Sequence, residues 1–390
     1  MNTKKIFIVT GSRAEFGLLK PLILRFNETA NIEFKLVVTG SHLSKKFGET
    51  VTEIYDDNIK IDFKIKIDLS KNDEYGVSKS ISSGLDQFSL LLEKNKPDLV
   101  IILGDRYEIF SCAVACTIFK IPIAHFNGGE LTSGAYDESF RHSITKMSHI
   151  HFVSSNEYRN RVIQLGENPK TVFNVGALSI EAIVNLELFS KNELQSILGL
   201  DLNKDSFVVT YHPETLSKIP PHKQITTIFD SLLDFPEVNF IFTKANADTN
   251  SHKINKLIDD FSQVNRNVYS FSSLGVKKYI SLLKYVRGVI GNSSSGIIEV
   301  PYFNIGTINI GNRQDGRLRV RSIIDCKRDR KEISRSIRIL MERDYSNVSD
   351  EIKEIYGSGN VSSQAVEIIC QSNLDKLLQK KFYDMPQPNK

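Results

Sequence analysis

Three acidic residues stand where a chain can use them to move protons. Asp105 follows the apolar run Leu99–Leu103, between Gly104 and Arg106. Glu130 follows the run Ile121–His125 and the segment Phe126-Asn127-Gly128-Gly129, whose glycines let the backbone approach a ligand. Asp137 comes seven residues later and four before Arg141, so the two share a helix face. A carboxylate just after a strand is in a catalytic position in α/β proteins. Clustered carboxylates repel, which raises the pKa of one and lets it hold a proton. Asp105 could instead cap the following helix, and Asp137 with Arg141 could be a plain helical ion pair.

The second half of the chain offers anion ligands. His212 follows Phe207–Tyr211, and Asn246 lies in Lys244-Ala245-Asn246-Ala247-Asp248 after another run. Gly291-Asn292-Ser293-Ser294-Ser295-Gly296 places three hydroxyls and several N–H groups at a strand-to-helix turn, the composition of a diphosphate cradle. Glu299, one helical turn further, could accept two ribose hydroxyls. Arg313, in Gly311-Asn312-Arg313, comes to the same edge. In the first half, Gly11-Ser12-Arg13 could present N–H groups and a guanidinium to phosphate, though it is neither a G-x-G-x-x-G fingerprint nor a P-loop. No metal-ligand spacing is evident.

Residues of this kind need strands to aim them. Short apolar runs occur at Ile6–Thr10, Phe34–Thr39, Leu99–Leu103, Ile121–His125, Ile150–Ser154 and Val172–Val175. They resume at Phe207–Tyr211, Val238–Thr243, Asn267–Ser270, Gly288–Gly291 and Gly306–Ile310. Most are apolar on both faces, as strands of a helix-covered parallel sheet must be. Segments between them, such as Val276–Tyr285 and Ile333–Met341, carry apolar residues at helical spacing. The expected fold class is α/β: two doubly wound Rossmann-like domains, with ligands bound in the cleft their strand ends face. A polar break at Leu186–Lys204 sets the boundary. The domains are then 1–185 and 186–361, with 362–390 a C-terminal helix and frayed tail packing back on the first.

Composition limits the functions available. The chain has 390 residues and a net charge of +4, too small to make a nucleic acid polymer its main partner. Between Arg313 and Arg343 lie eleven Lys/Arg against five Asp/Glu, so the basic surplus is local. The most apolar run, Ile109–Phe119, falls far short of the roughly 20 residues that span a bilayer. No signal peptide is evident at the N-terminus. These readings make a cytoplasmic location and no membrane partner the expectation. The four Cys read as reduced core thiols.

Taken in order, these motifs resemble the hydrolysing UDP-N-acetylglucosamine 2-epimerases of bacterial sialic-acid and capsule pathways. The matching segments are GSRAEFG at 11–17, LGDRYEIF at 103–110, GGE at 128–130, DESFRHSITKMS at 137–148, YHPETLS at 211–217, GNSSSGIIEVP at 291–301 and INIGNRQDGR at 308–317. Even FYDMP at 382–386 is similar to capsule-pathway members. The resemblance implies a glycosyltransferase-B-like fold, a UDP-sugar substrate, no redox cofactor and a homodimer or homotetramer. It assigns UDP contacts to Arg13, Arg106, His212, Asn246, Ser293, Ser294, Glu299 and Arg313, and acid/base chemistry to Asp105 and Asp137. Relatives with His-Ile-Glu-Gly-Gly-Glu carry a catalytic Glu two places after the His. Here that place holds Asn127, so either Glu130 takes over that role, the preferred reading, or Asp105 and Asp137 suffice. The implied product is N-acetylmannosamine, the first step of sialic acid synthesis. A 2,4-diacetamido-2,4,6-trideoxy sugar is the alternative substrate. A true sugar transferase and a catalytically dead nucleotide-sugar sensor are the competing readings.

Overall fold

The computed structural model describes residues 3–45, 48–71, 73–133, 135–214, 217–244 and 251–386. The chain divides into two compact units. The first comprises 1–130, 137–184 and 355–390. The second comprises 131–136 and 185–354.

In the first unit the chain runs β1 (Lys4–Thr10), α1 (Arg13–Asn27), β2 (Ile32–Val38), α2 (Val51–Asp56), β3 (Phe63–Lys64), α3 (Glu74–Lys94) and β4 (Leu99–Leu103). It continues through α4 (Tyr107–Ile118), β5 (Ile123–Phe126), α5 (Asp137–Met147), β6 (Ile150–Val153), α6 (Asn156–Gln164), β7 (Val172–Asn174) and α7 (Leu178–Val184). The seven strands form one parallel sheet in the order β3-β2-β1-β4-β5-β6-β7. The two-residue period of β1 explains its burial on both faces. Ile6 and Ile8 pack with Phe16, Leu19 and Ile23 of α1. Phe7 and Val9 pack on the other face with Phe88 of α3 and Ile109 of α4. The run at Ile121–His125 becomes a strand only from Ile123, because Pro122 has no N–H to give the ladder.

The second unit holds α8 (Lys191–Leu198), β8 (Ser206–Thr210), α9 (Pro221–Leu232), β9 (Asn239–Thr243), α10 (Ser251–Val264), β10 (Val268–Phe271), α11 (Gly275–Leu283) and β11 (Gly288–Gly291). Then come α12 (Ser295–Ile298), β12 (Gly306–Ile310), β13 (Ile323–Cys326), α13 (Arg330–Glu342) and α14 (Val348–Tyr356), whose end returns to the first unit. Its sheet is also parallel, in the order β10-β9-β8-β11-β12-β13. Both sheets reverse their strand order once, between β1 and β4 and between β8 and β11. Ligands of doubly wound sheets bind at such points.

The C-terminal helix takes up only the first part of the 362–390 segment. Helix α15 (Val361–Gln371) packs on α1 and α7, and after a short turn at Leu374–Lys376 the chain has no regular structure. That segment is anchored up to Tyr383, and the tail beyond residue 386 lies outside the described residues. Lys380 Nζ donates to the carbonyls of Lys146 and Ser148 at 2.6 and 2.7 Å, and Tyr383 N–H to Gly166 at 2.9 Å. Cys112, Cys116 and Cys326 are buried, whereas Cys370 is exposed and is not a core thiol.

Candidate functional site

In the first unit the turns after β1, β4 and β5 lie side by side at the carboxyl edge of the sheet. Gly104 leaves β4 with φ +78°, a conformation glycine adopts without strain, and delivers Asp105 to this edge. Helix α4 starts at Tyr107 with Arg106 as its cap residue, so Asp105 is not its N-cap. The Asp105 carboxylate instead meets the guanidinium of Arg141 on α5. Arg141 is 4% exposed, and its Nη1 also donates to the Asn127 carbonyl at 2.9 Å and lies 3.9 Å from Glu130. Glu130 is 3% exposed and accepts from Ser154 Oγ at 3.2 Å. Asp137 is the first residue of α5, one turn before Arg141. Arg141 therefore serves Asp105 and Glu130, a role its spacing from Asp137 did not reveal.

Asn127 has φ +61°. Asn is among the few non-glycine residues that tolerate this region. Its N–H donates to Phe152 at 3.0 Å, and its carbonyl accepts from Arg141. The side-chain type here follows from the backbone.

The β1 turn differs from its expectation. Ser12 caps α1, but the N–H of Gly11 is taken by the carboxylate of Glu15 at 2.6 Å and is not offered to an anion. Burial, and next the neighbouring Glu108, push the Glu15 carboxyl up to about 8. Glu108 is 1% exposed and lies 3.5 Å from Arg106 Nε. Arg13 stands 3.8 Å from Glu53. Arg13 and Arg106 thus belong to the first unit, while the other described UDP candidates belong to the second.

At the second unit's edge, the β8 and β11 turns are locked together. His212 N–H donates to Asn292 Oδ1 at 2.7 Å, and Asn292 Nδ2 donates back to the His212 carbonyl at 2.9 Å. Gly291 has φ +141°, and a Cβ there would sit 1.9 Å from the Thr210 carbonyl, so only glycine fits. The Asn292 carbonyl accepts from Arg313 Nη1 at 3.1 Å and Gln314 Nε2 at 2.8 Å. Asn292 therefore brings His212, Ser293 and Arg313 together.

Helix α12 spans only Ser295–Ile298, a weaker positive end than the Ser-rich turn suggested. Ser293 and Ser294 precede it, half-buried. Ser295 is committed elsewhere: it donates to Glu299 Oε2 at 2.5 Å, leaving Tyr279 to donate to Ser295 Oγ at 2.5 Å. Burial pushes the Glu299 carboxyl up, against the Ser295 bond. Behind this edge Arg328 joins Glu214 at 2.6 Å and Tyr211 at 3.1 Å. Asn246 lies outside the described residues. Among the described residues no group of three His, Cys, Asp or Glu is arranged to hold a metal, and no helix is long and apolar enough to cross a membrane.

Comparison with known proteins bears on the family and the fold. Residues 24–370 match the sequence profile of the family described as UDP-N-acetylglucosamine 2-epimerase. The GDP/UDP-N,N'-diacetylbacillosamine 2-epimerase (hydrolyzing) of Campylobacter jejuni is 41% identical over 99% of this chain and 100% of its own length. The polysialic acid biosynthesis protein P7 of Escherichia coli is 41% identical over 98% of both chains. In fold, the chain is similar to the Neisseria meningitidis UDP-GlcNAc 2-epimerase solved with UDP-GlcNAc, with a TM-score of 0.79 at 20% identity over 94% of this chain and all of that one. The two parallel-sheet domains are glycosyltransferase-B-like, and the chain belongs to the hydrolysing UDP-N-acetylglucosamine 2-epimerase family.

Proposed function

We propose that this protein is a hydrolysing 2-epimerase that converts UDP-N-acetylglucosamine and water to UDP and N-acetylmannosamine, the first step of sialic acid synthesis. The observation that carries the reading is the Asp105–Arg141–Glu130 cluster at the switch point of the first sheet, with Asp137 opening the helix that holds Arg141. Sugar transfer does not require so many carboxylates. The His212–Asn292–Arg313 cluster in the second unit supports the diphosphate assignment.

In the proposed reaction a carboxylate takes the sugar C2 proton while the C1–O bond to UDP breaks, leaving a C1=C2 glycal. Water then adds its oxygen to C1 and a proton returns to C2 on the opposite face. The C2 proton is weakly acidic, so the departing diphosphate needs strong stabilisation. Arg13, His212, Ser293, Ser294 and Arg313 would supply donors to it. Asp105, Asp137 and Glu130 would exchange the protons.

A second substrate reading, UDP-2,4-diacetamido-2,4,6-trideoxyglucose, draws on the 41% identity to the Campylobacter diacetylbacillosamine enzyme. Measuring kcat/KM for both UDP-sugars, with the free sugar identified by NMR, decides between them. N-acetylmannosamine formed faster than the diacetamido product supports the first reading, and the reverse order replaces it. The reaction draws on nucleotide sugars, which fits a cytoplasmic enzyme, and the family resemblance supports a homodimer or homotetramer.

A further inference from the structure

His125 on β5 is fully buried, and both its ring nitrogens are engaged. Nε2 lies 2.8 Å from the Gly104 carbonyl. A carbonyl only accepts, so Nε2 carries the proton and donates. Nδ1 is then an acceptor, 3.3 Å from Thr145 Oγ1, whose single proton it shares with the Arg141 carbonyl at 3.0 Å. Burial drives the His125 pKa down to about 3 against the opposing pull of the Gly104 bond, and His151, Arg141 and His142 add to the lowering. Such an imidazole has no route to a substrate proton.

Its two partners are the informative part. The Gly104 carbonyl belongs to the peptide that leads into Asp105. Thr145 lies on α5, one turn after Arg141. Gly128 completes the junction: a Cβ there would come within 3.1 Å of Thr145 Oγ1 and 3.3 Å of His125 Nδ1. We infer that His125 is a positioning residue that fixes Asp105 against Arg141 by tying the Gly104 carbonyl to Thr145. The kinetic consequence rests on the 2-epimerase reading, whereas the structural one does not.

The test uses the full chain with His125→Gln, which keeps a donor near the Nε2 position, and His125→Asn, which falls short of it. UDP release from UDP-N-acetylglucosamine is followed from pH 5 to 9. His125→Asn should lower kcat about 10–100-fold with KM within about threefold, since small misplacements of catalytic groups cost this much. His125→Gln should recover most of the loss, and the midpoints of the pH profile should not move. A vanished limb of the profile would make His125 a proton-transfer group and overturn the inference. So would equal rates in all three proteins, or equal damage in both variants.

Hydrogen exchange at Gly104–Arg106 and at Thr145 gives a readout that needs no turnover. Faster exchange in His125→Asn, with no UDP released by the unsubstituted protein, would sink the 2-epimerase reading and leave the positioning role standing. Unchanged exchange would remove the positioning role. Should His125→Asn fail to fold, Thr145→Val takes its place. A smaller fall in kcat at constant KM is then expected, and unchanged kcat contradicts the inference.

Discussion

Arg141 is shared between two strand ends: its guanidinium pairs with the Asp105 carboxylate after β4 and donates to the Asn127 carbonyl after β5 at 2.9 Å. A planar fork can hold both, whereas an ammonium is a point charge. Arg141→Lys should therefore keep the positive charge and lose the alignment. We expect kcat to fall about 100-fold, with UDP affinity within about threefold as measured by calorimetry. Wild-type kcat in Arg141→Lys would remove Arg141 from the account.

Asn127 occupies a place where the family resemblance implies a catalytic Glu. Its φ of +61° argues against a simple restoration of that residue. Asn127→Glu should lower stability by about 1 kcal/mol, because non-glycine residues lacking a short polar side chain are strained there. Activity should not rise. Urea unfolding and steady-state rates check both points, and a faster, equally stable variant would show that the Asn is a catalytic deficit.

The same comparison shows how far the sequence carried the structure. Two-faced apolar runs such as Ile6–Thr10 revealed the strands, and the ends of β4 and β11 matched their runs residue for residue. The short edge strands β3 and β13 escaped, since Phe63–Lys64 and Ile323–Cys326 lack a long apolar run. Asp105 and Glu130 could be placed at the first sheet's edge from the sequence because each follows an apolar strand run. Arg141, His125 and Asn292 were not, because their roles depend on partners 14 to 80 residues away. The hexapeptide 131–136 joins the second unit through bonds such as Arg317 Nε to the Leu131 carbonyl at 2.9 Å, a pairing no local pattern announces.

Asn292 is fully buried and makes two bonds to the His212 backbone. Asn292→Ala strands a buried N–H and a carbonyl, at about 1–3 kcal/mol each. Thermal melting should register a clear loss. KM for the UDP-sugar should rise more than kcat falls, because the β8 turn loses its side-chain tie to the β11 turn, whose Asn292 carbonyl holds Arg313. An unchanged KM in a folded variant would contradict the diphosphate assignment of this edge.

Glu15 gives stability a pH dependence of definite sign. Its folded pKa of about 8 lies above the ordinary carboxylate value of 4.5. Between these values the folded chain holds a proton that the unfolded chain has released, so stability falls as pH rises through the window. The contribution is complete below about 4.5 and gone above about 8. Unfolding at pH 5.5 and 7.5 should differ by on the order of 2 kcal/mol more in the wild type than in Glu15→Gln. Equal differences would show that Glu15 does not retain its proton.

The most direct test of the account is the fate of the sugar C2 hydrogen. UDP-N-acetylglucosamine is incubated with the protein in deuterated water, and the released sugar is examined by NMR and mass spectrometry. The account predicts UDP and free N-acetylmannosamine in equal amounts, with one deuterium at C2 of every product molecule. Asp105→Asn should lower this turnover about 1,000-fold while still binding UDP. UDP released with the original hydrogen retained at C2 would contradict it.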